Sequence, residues 1–142
     1  MDTLPYYRVL LWIKHPSINP NEITRCIGFS PSVAWMAGER HVTPTGMMLP
    51  GIRDYTYWCA TQEALADRAF FQGVMDVVRR VEYADDFVND LISTGGTVNI
   101  IVHLPGVINI GDVINASDLS ALARLKINLG IEVFPNFGPP KP

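Results

Sequence analysis

Ser17-Ile18-Asn19-Pro20-Asn21-Glu22-Ile23-Thr24-Arg25-Cys26-Ile27-Gly28 runs on through Phe29-Ser30-Pro31-Ser32 to Trp35-Met36-Ala37-Gly38-Glu39. A helix start, a helix stop and a following extended segment are all written into it. Asn19 is placed as an N-cap, its side-chain oxygen set to accept a first-turn backbone N–H. Pro20 falls at the first helical position, where its missing N–H costs nothing. Glu22, three residues after Asn19, is placed to reach back to the N–H of the cap. Ile23, Cys26 and Ile27 recur at three- and four-residue spacing, so the short helix has one apolar face. Gly28 supplies the left-handed conformation that ends it. Ser30-Pro31 then forces extended backbone, and Trp35 arrives just before a Gly38-Glu39 turn.

Outward from this run the elements alternate in type. Residues 6–14 read as a strand with Tyr7, Val9, Leu11 and Ile13 on one face and Arg8, Leu10, Trp12 and Lys14 on the other. Residues 33–41 read as a strand or extended arm, followed by a long connection, 43–53, broken by Pro44, Gly46, Pro50 and Gly51. Met47-Met48-Leu49 within it is expected to fold back on the core, since large exposed apolar patches are uncommon. Residues 54–61 alternate and are rich in Tyr, Thr and Trp. Tyr55, Tyr57 and Cys59 share one face of that strand, and Thr56 and Trp58 the other.

Residues 65–81 carry a helical apolar stripe (Leu65, Ala69, Phe70, Val74, Val77, Val78, Val81), and 84–92 place Phe87, Val88, Leu91 and Ile92 together. The two runs are one kinked helix or two. Gly95-Gly96 ends them. Residues 97–104 give the clearest strand, and 107–114 read as a short edge strand with a turn. Asn115 or Ser117 caps a helix through about Lys126, and 129–134 form the last strand.

This interleaving predicts an α+β fold: an antiparallel or mixed sheet with helices mainly on one face. A ferredoxin-like arrangement is the expected topology. A chain of 142 residues suits one core. Residues 1–134 are expected to form a single domain and 135–142 a flexible Pro/Gly-rich tail. No internal repeat at a solenoid period occurs.

Composition narrows the function. With 48% apolar and 18% charged residues the chain has a globular composition. A net charge of -3 lacks the basic excess of nucleic-acid binders, so no nucleic acid is expected as a partner. The longest apolar run is far short of a membrane span. Met1-Asp2-Thr3-Leu4-Pro5 lacks the basic start and apolar stretch of a secretory signal, so cytoplasmic residence is the expectation.

No catalytic set is legible. A Gly-rich phosphate loop and a Gly-x-Ser-x-Gly elbow are both missing, so no cofactor is expected. Cys26 and Cys59 read as buried reduced thiols. His15, His41 and His103 are scattered over separate elements and no metal site is expected from them. Asp85-Asp86 reads as a cap and first-turn acid pair favoured by the helix dipole. Glu39-Arg40-His41 reads as a solvated bend beside Trp35, within reach of a ligand.

What remains is a distributed set. If one sheet face packs on helices, the opposite face gathers Arg8, Trp12, Lys14, Thr56, Trp58, Asn99 and His103. Trp35 and Glu39 stand at its margin. Such a groove suits a small anionic or planar ligand, or a protein partner. Cover by the Met47-Met48-Leu49 loop and a face for self-association are the two alternatives.

Asn19-Pro20-Asn21-Glu22-Ile23-Thr24, Ile27-Gly28, Pro31, Trp35 and Gly38-Glu39 together resemble the fingerprint of the bacterial domain of unknown function 4279 family. Trp58, the helical pair ending at Gly95-Gly96 and the closing Leu129-Gly130-Ile131-Glu132-Val133 extend the resemblance over residues 7–134. Ala37 departs from the basic or polar residue of the pattern. The resemblance implies a structural scaffold and brings no reaction, cofactor or catalytic residue. It also implies a small stand-alone bacterial protein of the size and acidity of toxin-neutralising immunity proteins. The expectation is therefore a non-catalytic protein-interaction module, with a small-molecule binder or enzyme on the Trp/Arg/His face as the alternative.

Overall fold

The computed structural model describes residues 7–64 and 69–135, with backbone only at 63 and 64. Leu65 and the sequence beyond Pro135, expected as helix and tail, lie outside the described residues. The elements in order are β1 (Tyr7–His15), α1 (Pro20–Ile27), β2 (Val33–Trp35), β3 (Arg40–Val42), β4 (Met48–Ile52) and β5 (Thr56–Ala64), then α2 (Phe70–Tyr83), α3 (Asp85–Ser93), β6 (Thr97–Pro105), α4 (Ala116–Arg124) and β7 (Ile127–Phe134).

α1 forms where its signals place it. Asn19 Oδ1 accepts from the Asn21 N–H at 2.9 Å, and Gly28 at φ 87° closes the last turn onto the Thr24 carbonyl. Glu22 does not reach back to the cap; its carboxylate accepts from the Arg25 guanidinium one turn on. Ile23 and Ile27 are buried, while Cys26 is only half-buried.

The main sheet has the order β2-β5-β1-β6-β7, and β3-β4 forms a separate two-stranded ladder. Every main-sheet pairing is antiparallel except β6 with β7. The order and alternating senses of β2-β5-β1-β6, with α1 after β1 and α2–α3 after β5, are those of the split βαβ arrangement. α4 and a parallel β7 are added at one edge. The fold is thus α+β with a mixed sheet.

Register sorts the side chains. Ile13 pairs with Trp58 and with Val98, and Leu11 with Ala60 and Ile100. These residues therefore share one face with Val9, Val102 and Ile127, and all are buried against Ile23, Val74, Val78, Val81 and Leu91 of the helices. Each Val, Leu or Ile among them stabilises the fold by about 1.5–3 kcal/mol on removal from water.

α2 and α3 are two helices. Ala84, at φ -110° and ψ 30°, breaks the run between them. The segment expected as an edge strand over 107–114 is irregular instead. Asp112 explains its course: its Oδ2 accepts from the Phe71 N–H at 3.1 Å, capping α2, whose own cap position holds Ala69 and no side-chain acceptor. Ile110 and Ile114 pack on the core from the same segment.

His15 ties three elements together at the end of β1. Its Nδ1 accepts from the Ser17 and Ile18 N–H groups at 3.0 and 2.9 Å, which fixes the proton on Nε2. Nε2 lies 2.8 Å from Thr94 Oγ1, and that hydroxyl donates in turn to the Asp90 carbonyl at 2.9 Å.

Candidate functional site

The face of the sheet away from the helices holds the polar and aromatic residues of alternate positions. Of the nine residues expected on it or at its margin, Arg8, Trp12, Lys14, Asn99, His103 and Trp35 reach it. Arg8 pairs with His103 and Trp12 with Asn99 in the β1–β6 ladder, and the Leu10–Ile101 pair stands between them on the same face. Trp35 joins them from β2 through its pairing with Tyr57.

Trp58 does not belong to this face. It is fully buried beneath α1, and its Nε1–H donates to Thr24 Oγ1 at 2.9 Å. Thr56 is buried with it: its hydroxyl donates to the Ile18 carbonyl at 2.6 Å and accepts from the Ala37 N–H at 3.1 Å. Opposite Ile13 and beside α1, a large ring fills space that no smaller side chain of β5 would fill. The alternation along β5 is as read from the sequence; the outward set is Tyr57 and Cys59.

Glu39 lies at the bend between β2 and β3, and it contributes backbone to the arrangement. Its N–H donates to the Met36 carbonyl at 3.1 Å and its carbonyl accepts from the Arg53 N–H at 2.6 Å. Its carboxylate makes no hydrogen bond or ion pair among the described residues.

An aromatic and cationic row crosses β2, β5 and β1. The Arg53 guanidinium lies 3.9 Å from the centre of the Trp35 ring. Trp35 stacks on Tyr57 at 4.6 Å, and Tyr57 meets Trp12 edge-on at 6.2 Å. The Trp35 indole N–H is committed to the Tyr55 carbonyl at 3.1 Å, and Lys14 Nζ sits 5.0 Å over the Tyr55 ring. Cation–π and stacked-ring contacts of this kind hold planar groups in fixed order.

A second cluster lies on the β7 side. His103 Nε2 is 3.9 Å from Glu132 and its ring meets Phe134 at 4.8 Å. Asn99 Oδ1 accepts from Asn128 Nδ2 at 3.0 Å. Between the Asn99–Asn128 and His103–Glu132 pairs, Ile101 of β6 leans over Gly130 of β7. A Cβ at Gly130 would stand 2.7 Å from Ile101 Cδ1, so the missing side chain is what admits the isoleucine.

The electrostatics favour neutral groups. Burial raises the Cys59 thiol above its ordinary value, and hydrogen bonding with Tyr57, Ser32, Trp12 and Thr61 only partly offsets it. Cys59 is therefore a thiol and a poor nucleophile. Burial, followed by the proximity of Cys59, raises the Tyr57 phenol as well. His103 is lowered by burial and secondarily by Arg8, with Glu132 acting the other way, so the imidazole is neutral near pH 7. The Trp12 N–H is buried and meets no acceptor in hydrogen-bond geometry among the described residues; its interaction with the Cys59 sulfur is a weak one.

Tyr57, Tyr55, Arg53, Glu132 and Phe134 are the members that sequence reading missed. The signal for Tyr57 was available, because it shares its face of β5 with Cys59 and Tyr55. Arg53 and Glu132 enter only through strand pairing, which no local pattern announces.

Next to this face, β3 and β4 form a projecting hairpin. The bend that starts it is pinned by Gly38 N–H to the Arg53 carbonyl at 2.8 Å. Met47, Met48 and Leu49 do not fold back on the core. They are exposed by 65%, 61% and 40%, and Val42 and Ile52 are exposed with them. Pairing of β3 with β4, Arg40 with Ile52 and Val42 with Met48, satisfies the backbone without any core contact.

Two clefts open in the surface, the second bordering the Lys14–Tyr55 contact. One of about 260 Å³ opens between α3 and α4, lined by Asp85, Asp86, Arg124 and Lys126. The other, about 360 Å³, opens at the end of β1 between Lys14, His15, Asp54 and Tyr55. Neither contains Arg8, Trp12 or His103. Among the described residues no group of three or more His, Cys, Asp or Glu side chains is placed to hold a metal ion, and no helix is long and apolar enough to cross a membrane. Set against known proteins, the chain matches no family model, no curated protein and no solved structure.

Proposed function

We propose that the chain is a non-catalytic protein-interaction module, a small bacterial cytoplasmic protein of the immunity-protein kind, and that it holds its partner on the β3–β4 hairpin and the adjoining open sheet face. The hairpin carries this reading. Five exposed apolar side chains stand on an arm outside the core, where a partner that covered them would gain the free energy of their burial. Methionine there adapts to the shape it meets. The row of Arg53, Trp35, Tyr57 and Trp12 beside the arm supplies the side-chain types that dominate interface energetics. The neutral Cys59 thiol, a poor nucleophile, supports a binding role over nucleophilic chemistry at this face.

The test compares the wild-type chain with the Met48→Asp/Ile52→Asp variant. Proteins retained by the first and lost by the second are purified, and their direct binding is measured by calorimetry. Binding to the wild type alone, with equal melting temperatures for both chains, is the expected result. Identical retention by the two chains would sink the reading.

A small anionic or planar ligand on the same face is the second reading, favoured by the aromatic row of Trp35, Tyr57 and Trp12 with the Arg53 guanidinium beside it. A metabolite panel read by thermal shift, repeated on Trp12→Phe, decides it: a shift lost in the variant supports a ligand, and a panel without any shift disposes of one.

A further inference from the structure

The two edges of the sheet are protected unequally. β2 is three residues long and follows Pro31 and Ser32. A short edge strand beside a proline is a common device against the addition of foreign strands. β7 at the other edge is much longer, and its flanking proline, Pro135, lies beyond its last residue. It spans eight residues without proline or lysine. Its register with β6 runs from Val98↔Ile127 to Pro105↔Phe134 without a bulge. Among the described residues only the Phe134 carbonyl, accepting from the Gly106 N–H at 2.8 Å, is engaged by backbone outside the ladder. The helix-side residues of β7 grow more exposed along the strand, from Ile127 at 6% to Ile131 at 50% and Val133 at 60%.

We propose that β7 pairs antiparallel with β7 of a second copy of this chain, about a two-fold axis at Ile131, joining two five-stranded sheets into one. A two-fold contact requires a strand complementary to itself, and β7 meets that condition. Directly opposite residues of an antiparallel pair share a face. With Ile131 on the axis, Leu129 stands opposite Val133, so apolar residues meet on the helix side. On the other side Asn128 stands opposite Phe134, and Glu132 opposite Gly130. Glu132 is the only charged residue of the strand. It therefore faces a position without a side chain, no like charge lies directly across from it, and its contact with His103 is kept. The most exposed apolar residues of the strand, Ile131 and Val133, fall at or next to the centre of the contact. This surface is distinct from the hairpin, so its test is independent of the partner-binding reading.

Sedimentation velocity of the full chain at tens of micromolar tests the pairing. A species of twice the 15.8 kDa chain mass is expected. Ile131→Lys sets two ammonium groups against each other on the axis and yields monomer; Ile131→Glu does the same with carboxylates. An equimolar mixture of the two variants regains the dimer, because the axis residue meets its own counterpart. Ile131 is half exposed, so both variants keep the melting temperature of an isolated subunit; should either fail to fold, Val133→Lys, which sets an ammonium against Leu129, and Leu129→Glu, its counterpart across the pair, replace the two. A wild-type chain that stays monomeric, a lysine variant that stays dimeric, or a mixture that stays monomeric overturns the proposal.

Discussion

Trp58 and Trp35 sit on paired strands and point to opposite sides of one sheet, and almost everything about them differs. Trp58 is sealed under α1 with its N–H satisfied by Thr24. Trp35 is half-buried, sandwiched between a guanidinium and a phenol at the margin of an open surface. One ring fills volume; the other presents a face. The same residue type therefore serves cohesion on one side of the sheet and recognition on the other, and strand register alone decides which.

Truncating each ring separates the two roles. Trp58→Ala opens a cavity between α1 and the sheet and leaves the Thr24 hydroxyl without its donor, so a loss of about 3–5 kcal/mol is expected in urea unfolding. Trp35→Ala forfeits stacking and a cation–π contact on a wet surface, about 1 kcal/mol. Its larger consequence is loss of partner retention in the binding assay. Equal destabilisation by the two substitutions would mean that the open face is covered in solution, as a folded-back hairpin would cover it.

A pH titration probes the junction where the helix side begins. His15 is lowered from the ordinary histidine value of 6.5 by burial, with Asp90 opposing. Protonation would also place a proton on Nδ1, against two N–H donors. The neutral form is the one the fold holds. The unfolded chain therefore binds more protons once the pH falls below 6.5, and stability is full above that value and declines as the pH drops toward the folded-state value. His103 is lowered as well and adds to the slope in the same direction. His15→Asn should keep a reduced slope, and the double change with His103→Asn should flatten it further across the same window. A slope untouched by His15→Asn would show that this imidazole titrates normally.

Much of this architecture is legible in the residues. Asn19, Pro20 and Gly28 each act where local chemistry puts them, because capping and stop signals are satisfied within a turn of the backbone. Alternation along β1, β5 and β6 is likewise local. What is not local is the choice of outward face. Along β5 both sets carry aromatic residues, and only the pairing of Trp58 with Ile13 settles which set the helices cover. Met47-Met48-Leu49 misleads for a related reason: apolar residues are expected inside, and a self-paired hairpin lets them stay outside. Asp112, capping a helix that begins 42 positions earlier at Phe70, has no sequence signature at all.

The smallest effect expected comes from adding one methyl group on each face. On the helix side, a Cβ at Gly73 would stand 3.0 Å from the Tyr7 ring and 3.3 Å from Val9, both buried. The gain of about 1 kcal/mol in helix propensity for Gly73→Ala is set against overpacking of about 1–3 kcal/mol, so the variant is neutral or destabilised. At Gly130 the contact is closer, 2.7 Å, yet the atom met is the terminal methyl of Ile101 on the open face. That methyl is the far end of a partly exposed side chain that can change rotamer, so the cost of Gly130→Ala should stay at about 1 kcal/mol, the low end for overpacking. Closeness of contact would thus predict the reverse of the order that freedom to move predicts. Unfolding measurements on the two alanine variants distinguish these, and a larger loss at Gly130 would show that the open face is packed as rigidly as the core.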